Sequence, residues 1–574
     1  GLLAEASSAL VFTNTRSQTE IWYQQLLQQR PDWAGTIALH HGSLDASVRQ
    51  WVEDGLRDGK LRAVVCTSSL DLGVDFTAVD LIVQVGSPKG AARLLQRAGR
   101  SGHQPDARSH LVFVPTHALE LVELAAARTS IEQGVLEARQ LLEKPLDVLV
   151  QHTVTIALGG GFEARGLLDE VRSTHAFREL TDEEWSWILD FVVRGGSSLT
   201  AYPDFQRVDF DGQRYRVVNS RIARMHRMNI GTIASDLAMQ VRYMSGKPLG
   251  TVEESYLSKI KPGERFVFAG RVLEMVRIRE GAAYVRRTTE KAESVPRWMG
   301  GRMPLSSELS AALRTKLSQA GEGRLVDPEM KVLASLFAVQ ERWSKLPADD
   351  ELLIEQVKTR EGYQLFLYPF EGRLVHEGLA ALLAHRLSRT QPITLSMACN
   401  DYGLVVQSHK PLAIERAIAA GLLAIDDLEG DILASMNATE MAMRQFRQIA
   451  RVAGLIHGGY PGEKKKGSHL QASSNMFFQV FEQYDPSNLL FKQSHREVLE
   501  QQLEFARLRK ALERIAASRI VVTQPPGVTP LAFPIYVDKL RERISSESLV
   551  ERIRRLQQQL EKVADAELDR GGTS

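Results

Sequence analysis

The chain has 574 residues, 71 Lys and Arg against 70 Asp and Glu, 44% hydrophobic residues and 25% charged ones. At roughly 100 to 200 residues per domain that length excludes a single compact domain, and the composition excludes a fibrous or disordered chain. No apolar run is long enough to cross a bilayer, GLLAEASSAL lacks the basic start of a signal peptide, and two distant cysteines, Cys66 and Cys399, make neither a disulfide framework nor a zinc site. The expectation is a cytoplasmic protein with no membrane contact.

The first segment alternates short apolar runs with amphipathic ones. SALVFTN (8–14), GTIALHHG (35–42), RAVVCTS (62–68), DLIVQVG (80–86) and SHLVFVP (109–115) read as strands, with helices over SQTEIWYQQLLQQR and ASVRQWVEDGLRDG. Apolar strands separated by helices predict a parallel sheet covered on both faces, ending near residue 135. Residues 144 to about 230 predict three helices, PLDVLVQHTVTIAL, EARGLLDEVRS and TDEEWSWILDFVVRGG, then two β-like pieces, FQRVDFDG and QRYRVVN, the outline of a winged helix. Beyond 231 the pattern is mixed α+β, with a β-rich, barrel-like part over 263–289 and a terminal helix in SESLVERIRRLQQQLEKVADAELDR.

Polar residues cluster after successive strands of the first segment: Thr13 and Asn14, Ser43, Thr67 and then Gly73 and Asp75. The carboxyl ends of strands in open α/β sheets are where ligands bind, and hydroxyl and amide donors suit phosphates. An Asp there suits a ribose hydroxyl, although β-α turns with Asx caps use the same residues. In RLLQRAGRSGH (93–103), Gln96, Arg97 and Arg100 lie within about one and a half helical turns, where guanidinium groups suit a transferring phosphoryl group.

In that order, VFTNTRSQTE, ALHHGSL, VVCTSSLDLGVDF and QRAGRSGH resemble motifs IV, IVa, V and VI of superfamily 2 helicases. RMNIGTIASD, VRYMSGKPLGTVEESYLSKIKPGERFVFAGR and VPRWMGGRMPLSSEL resemble the region after the helicase core in Lhr-type (large helicase-related) proteins, particularly the bacterial ligase-associated DEXH-box form. The resemblance implies three regions: 1–138 as a second RecA-like domain, 139–230 as a winged helix and 231–574 as an Lhr-type accessory region. It implies Arg97, Arg100 and Gln96 as catalytic, with Gly73 and Asp75 beside the nucleotide. Thr13, Asn14, Ser43 and Thr67 would hold a tracking strand. His103 stands where DEAD-box relatives carry a third arginine.

Neither a Walker A sequence nor a DExH box occurs: Gly59-Lys60 runs into Leu61, Gly246-Lys247 into Pro248, and Asp182-Glu183-Glu184 into Trp185. The expectation is a chain lacking the first RecA-like domain, inactive alone, with ATP and Mg²⁺ bound only when that domain is present. No other metal site is expected, because the histidines lack ligand spacing.

The charge balance also hides a local surplus. Residues 221–302 hold 16 Lys and Arg against 8 Asp and Glu. Tyr243, Tyr256, Tyr284 and Trp298 are interleaved with Arg242, Arg286, Arg287, Arg297 and Arg302, cations plus stacking surfaces of the kind single strands need. By resemblance Trp298 stacks on a base, flanked by Arg297 and Arg302, and Ile233 lines the same channel. The implied function is ATP-dependent 3′-to-5′ translocation on single-stranded DNA, unwinding DNA or RNA:DNA duplexes in repair, by a monomer with room for DNA ligase and nuclease partners. The alternative is a non-catalytic nucleic-acid-binding or scaffold module that retains a RecA-like fold.

Overall fold

The computed structural model describes residues 2–71, 79–101, 109–138, 142–231, 238–257, 260–279, 282–290, 303–390, 393–435, 438–457, 459–460, 463–464, 467–541 and 549–571. Strands β1 (Ala9–Phe12), β2 (Ile37–His40), β3 (Ala63–Cys66), β4 (Leu81–Val85) and β5 (Leu111–Val114) form a parallel sheet in the order β2-β3-β1-β4-β5. Period-two alternation divides its side chains between two cores. Leu10, Phe12, Val64, Cys66 and Ile82 pack with Val52 and Leu56 of the helix Ala46–Arg57. Ala9, Val11, Val65 and Val83 pack with Trp22 and Leu26 of the helix Arg16–Gln29. Both faces being covered is why these strands carry no polar alternation.

Helices Leu146–Leu158, Ala164–Arg172 and Asp182–Arg194 follow, with the hairpin β6 (Asp209–Phe210) and β7 (Tyr215–Arg216), the winged-helix outline. Thr181 and Glu184 form a reciprocal capping box at the third helix, and Gly195 at φ 80° ends it in the left-handed region. The hairpin strands are two residues each. Asp211 closes their turn by accepting from the Gln213 and Arg214 amides at 3.0 and 2.8 Å, and Phe210 stacks on Tyr215 at 4.4 Å between centroids.

Strands β8 (Ala238–Tyr243), β9 (Pro248–Glu253), β10 (Arg265–Phe268), β11 (Arg271–Arg279) and β12 (Ala282–Arg287) make a second sheet, ordered β10-β11-β12-β8-β9 and antiparallel except where β12 meets β8. Val241, Val252, Phe266, Phe268, Leu273, Ala283 and Val285 fill its core. A third sheet is built from β13 (Glu351–Thr359), β14 (Gly362–Leu367), β15 (Leu395–Cys399) and β16 (Leu404–Ser408). After the small hairpin β17 (Gly459–Tyr460) and β18 (Glu463–Lys464), β19 (Arg519–Thr523) completes it in the order β15-β16-β14-β13-β19. The fold is thus a parallel α/β sheet, a winged helix and a mixed α+β remainder with a β-rich part, ending in the helix Leu549–Gly571.

Two compact units, each discontinuous in sequence, organise these elements. Residues 1–137, 237–431 and 507–574 form the first, and 138–236 with 432–506 form the second. In the first, Val122, Ala125 and Ala126 of the helix Leu119–Glu132 share a core with Leu309, Leu313 and Leu317 of the helix Ser307–Gly321 and with Phe366 of β14. In the second, helices Ala438–Val452 and Leu489–Glu497 pack on Leu146–Leu158. There Gln493 accepts from the Asp147 amide at 3.1 Å and donates to its carboxylate at 2.8 Å.

Candidate nucleotide and nucleic-acid interface

In the parallel sheet, Phe12, His40, Cys66 and Gln84 share one register level, so the residues that follow the first three strands gather at one carboxyl edge. Thr13 is fully buried there, its hydroxyl 2.7 Å from that of Thr19. Asn14 donates to the Ser87 carbonyl at 2.6 Å, while its own side-chain oxygen is buried without a partner. Ser43 is 2% exposed and its hydroxyl accepts from Arg16 at 2.7 Å. Thr67 is buried, and beside it Ser69 lies 2.8 Å from His40 Nδ1, whose other nitrogen is 3.1 Å from Glu53. Burial pushes the His40 imidazole below its ordinary value, against the pull of Glu53. Of the four residues proposed to hold a strand, three thus have buried side chains, and Asn14 carries the buried oxygen without a partner.

Glu20, itself fully buried, gathers this edge to the second sheet. Its carboxylate accepts from the Ala269 and Gly270 amides at 2.6 and 2.8 Å in the β10–β11 turn and lies 3.2 Å from His41. Gly250 of β9 runs so close to Ser43 that a Cβ there would collide with the Ser43 carbonyl oxygen, and the Thr251 amide donates to that oxygen at 2.8 Å. The loop 41–45 is therefore held by backbone contacts that only a glycine at 250 permits.

Gln96 and Arg97 lie on the helix Ala91–Ala98, and Arg100 follows it. All three converge on Asp71. Arg97 Nε donates to its carboxylate at 2.9 Å, while Gln96 Nε2 at 3.4 Å and Arg100 Nε and Nη2 at 3.1 and 2.8 Å donate to its carbonyl. Arg97 is 1% exposed, donates also to Gln84 and lies 4.6 Å over the Phe12 ring. Arg100 differs, because it is partly exposed and no carboxylate pairs with it among the described residues. An unneutralised guanidinium at this edge fits a polyphosphate. Sequence reasoning missed Asp71 and singled out Asp75, four residues on. The available signal was a carboxylate at the end of a buried strand with two arginines downstream.

Three family profiles match the chain: "Helicase conserved C-terminal domain" over residues 2–104, "Large helicase-related protein, winged helix domain" over 129–295 and "DEAD/H associated" over 346–532. The chain is 27% identical to the ATP-dependent helicase Lhr-Core protein 2 of Thermococcus barophilus over 97% of its own length and 67% of that protein. It is 26% identical to the ATP-dependent helicase Lhr-Core of Methanocaldococcus jannaschii, over 93% of this chain and 64% of the relative. The chain is similar to Lhr helicases over nearly its whole length. A solved Mycobacterium smegmatis helicase Lhr, bound to ssDNA and AMP-PNP, shares the fold with a TM-score of 0.69 at 24% identity, covering 92% of this chain and 66% of that one. The chain therefore spans about two thirds of the length of these relatives.

A second surface of the chain is the outer face of the β8–β12 sheet. Arg277, Tyr284 and Arg242 are successive register partners across β11, β12 and β8, and the Arg277 guanidinium lies 5.4 Å from the Tyr284 ring. Arg286 adds a bidentate pair with Glu274 at 2.9 and 2.7 Å. Ala283 and Val285, alternating with Tyr284, point into the core, so Tyr284 stands on the arginine face. Tyr243 and Tyr256 pack against that core instead, Tyr256 edge-on to Phe266. Gly73, Asp75, His103, Ile233, Arg297, Trp298 and Arg302 lie outside the described residues.

Among the described residues no group of three His, Cys, Asp or Glu side chains is placed to hold a metal, and no helix is long and apolar enough to cross a membrane.

Proposed function

We propose that the chain is the C-terminal part of an ATP-dependent 3′-to-5′ single-stranded DNA translocase and helicase that unwinds DNA or RNA:DNA duplexes in repair. The carrying observation is Arg100, a guanidinium with no paired carboxylate among the described residues, fixed through the Asp71 carbonyl beside a RecA-like sheet. In this reading Arg100 binds the γ-phosphate of a nucleotide whose Walker A lysine, DExH box and Mg²⁺ site belong to a first RecA-like domain, and the chain alone does not turn over ATP. When bound, ATP supplies the free energy of closure. Arg97 organises Asp71 rather than reaching outward, Gln96 steadies the same carbonyl, and Gly73 and Asp75 lie by the ribose.

The strand would run from the sheet edge, at Thr13, Asn14, Ser43 and Thr67, along the arginine face that carries Tyr284. Trp298 with Arg297 and Arg302 would stack and clamp it, with Ile233 lining the channel. The ssDNA and AMP-PNP bound to the mycobacterial relative support this reading. A monomer in the cytoplasm, with ligase or nuclease partners in repair, completes the proposal.

The test joins this chain to a first RecA-like domain carrying both missing motifs. DNA-stimulated ATPase is expected, and Arg100→Ala should lower kcat by about 10³-fold with little change in folding, in line with arginine-finger losses. Normal hydrolysis by that variant would overturn the role of Arg100, and a joined protein without DNA-stimulated ATPase would leave the non-catalytic scaffold as the reading.

A further inference from the structure

The winged-helix unit contains a cleft lined by Gln151, Asp204, Arg207, His226, Asn229 and His457, among others. Arg207 is 7% exposed. Its Nη1 donates to the Ala453 carbonyl at 2.5 Å, and its Nε is buried without a partner. No carboxylate pairs with it among the described residues. Asp204, also lining the cleft, has its carboxylate 3.3 Å from Arg221. The two other arginines buried to the same degree among the described residues are paired, Arg97 with Asp71 and Arg507 with Glu371. A buried charge without a counter-ion is costly, so an uncompensated one lining a cleft marks a place where an anion is missing.

The surroundings are shaped for that guanidinium. Gly454, at φ +73°, lies where a Cβ would come within 2.8 Å of Arg207 Nη1, so only glycine lets the backbone wrap the head group. His226 stands across the cleft with Nε2 2.8 Å from the Thr155 hydroxyl, which itself donates to the Gln151 carbonyl at 2.8 Å. Thr155 therefore accepts from Nε2–H, and Nδ1 carries the lone pair in the neutral ring. Burial first, then the positive charges of Arg207, His457 and Arg227, hold His226 down to about 4. Positive potential in the cleft thus exceeds what its own residues neutralise.

We infer that this cleft is an anion site that takes a single phosphate group, with Arg207 as principal donor. The planar fork of Arg, with Nη2 carrying no acceptor, suits two phosphate oxygens. The group can come from free phosphate or from the backbone of a nucleic-acid strand. The site lies in a different unit from the Asp71 edge and stands whether or not the chain is a helicase.

The experiment titrates the full chain with sodium phosphate, sodium chloride holding ionic strength constant, and reads Tm. It then measures oligo(dT) binding across a salt series. Phosphate should raise Tm by roughly 2 to 5 °C between 0 and 20 mM. Arg207→Met, which replaces an uncompensated charge with an apolar chain, should melt no lower than the parent and show no phosphate-specific rise. If a strand supplies the phosphate, the variant also lowers the slope of log K against log salt by about 0.7. If free phosphate is the ligand, that slope is unchanged and the Tm response alone is lost. Should the methionine variant fail to fold, Arg207→Lys keeps the charge without the fork and should need several-fold more phosphate for the same rise. The inference is overturned if the parent shows no phosphate-specific rise and oligo(dT) binding ignores Arg207→Met, or if either variant responds to phosphate as the parent does.

Discussion

Arg97 in the parallel α/β sheet and Arg207 in the winged-helix unit are both buried guanidiniums, each lying over a phenylalanine ring, Phe12 and Phe191 respectively. They differ in one respect. Arg97 meets the Asp71 carboxylate at 2.9 Å, while Arg207 meets a backbone carbonyl and nothing charged among the described residues. Burial alone depresses the Arg207 guanidinium to about 10. Pairing converts a buried charge into architecture, and its absence leaves a charge available to something outside the chain.

The largest effect expected from this contrast is at Arg97. Arg97→Ala strands the Asp71 carboxylate in a buried site and should cost about 3 to 5 kcal/mol in urea unfolding. A loss below about 1 kcal/mol would mean that the pair is not what holds the helix Ala91–Ala98 to the sheet. Arg207→Met, by contrast, is expected not to destabilise.

A buried carboxylate gives the mirror image. Glu123 is 1% exposed and accepts from the Tyr402 hydroxyl; burial raises it to about 7, although the Lys89 ammonium pulls the other way. The folded chain therefore keeps this proton where the unfolded chain has lost it. Stability falls as pH rises from about 4.5, the unfolded value, through about 7. Glu123→Gln, which still accepts from Tyr402, should raise Tm by about 3 °C at pH 8 and by less than 1 °C at pH 4.5. A constant difference across that range would show that Glu123 ionises freely.

The smallest effect belongs to a pair in solvent. Arg286 and Glu274 form two good hydrogen bonds, yet Arg286 is exposed, and Arg286→Ala should move Tm by less than about 1 °C. A larger shift would mean that the β11–β12 face depends on its charges for folding, which would weaken its use as a binding surface.

Much of this molecule was legible in advance because its signals are local. Runs such as ALVF and AVVC are apolar at every position and LIVQV at all but Gln84, which only a doubly covered strand needs, and all are strands. The capping box at Thr181 and the glycine at 195 bracket a helix in sequence as they do in space. The candidate edge was legible for the same reason, since residues just after parallel strands share that edge. The role of Asp71 was not, because nothing in LDLGVDF distinguishes it from Asp75 until Arg97 and Arg100 come round beside it. The aromatic reading of Tyr256 turned on what the short helix Glu254–Leu257 packs against, and its ring faces Phe266 and the core.

The sequence by itself determined the likeness to Lhr helicases, the parallel sheet, the winged helix and the basic block over 221–302, since each rests on neighbouring residues or on ordered motifs. Tertiary structure alone decided that residues 432–506 join the winged-helix unit, that Asp71 gathers Gln96, Arg97 and Arg100, and that Arg207 is buried without a counter-ion among the described residues. The physical reason is common to all three. Burial and charge pairing depend on residues tens or hundreds of positions apart, and a linear pattern records the charge of a side chain but not what it meets.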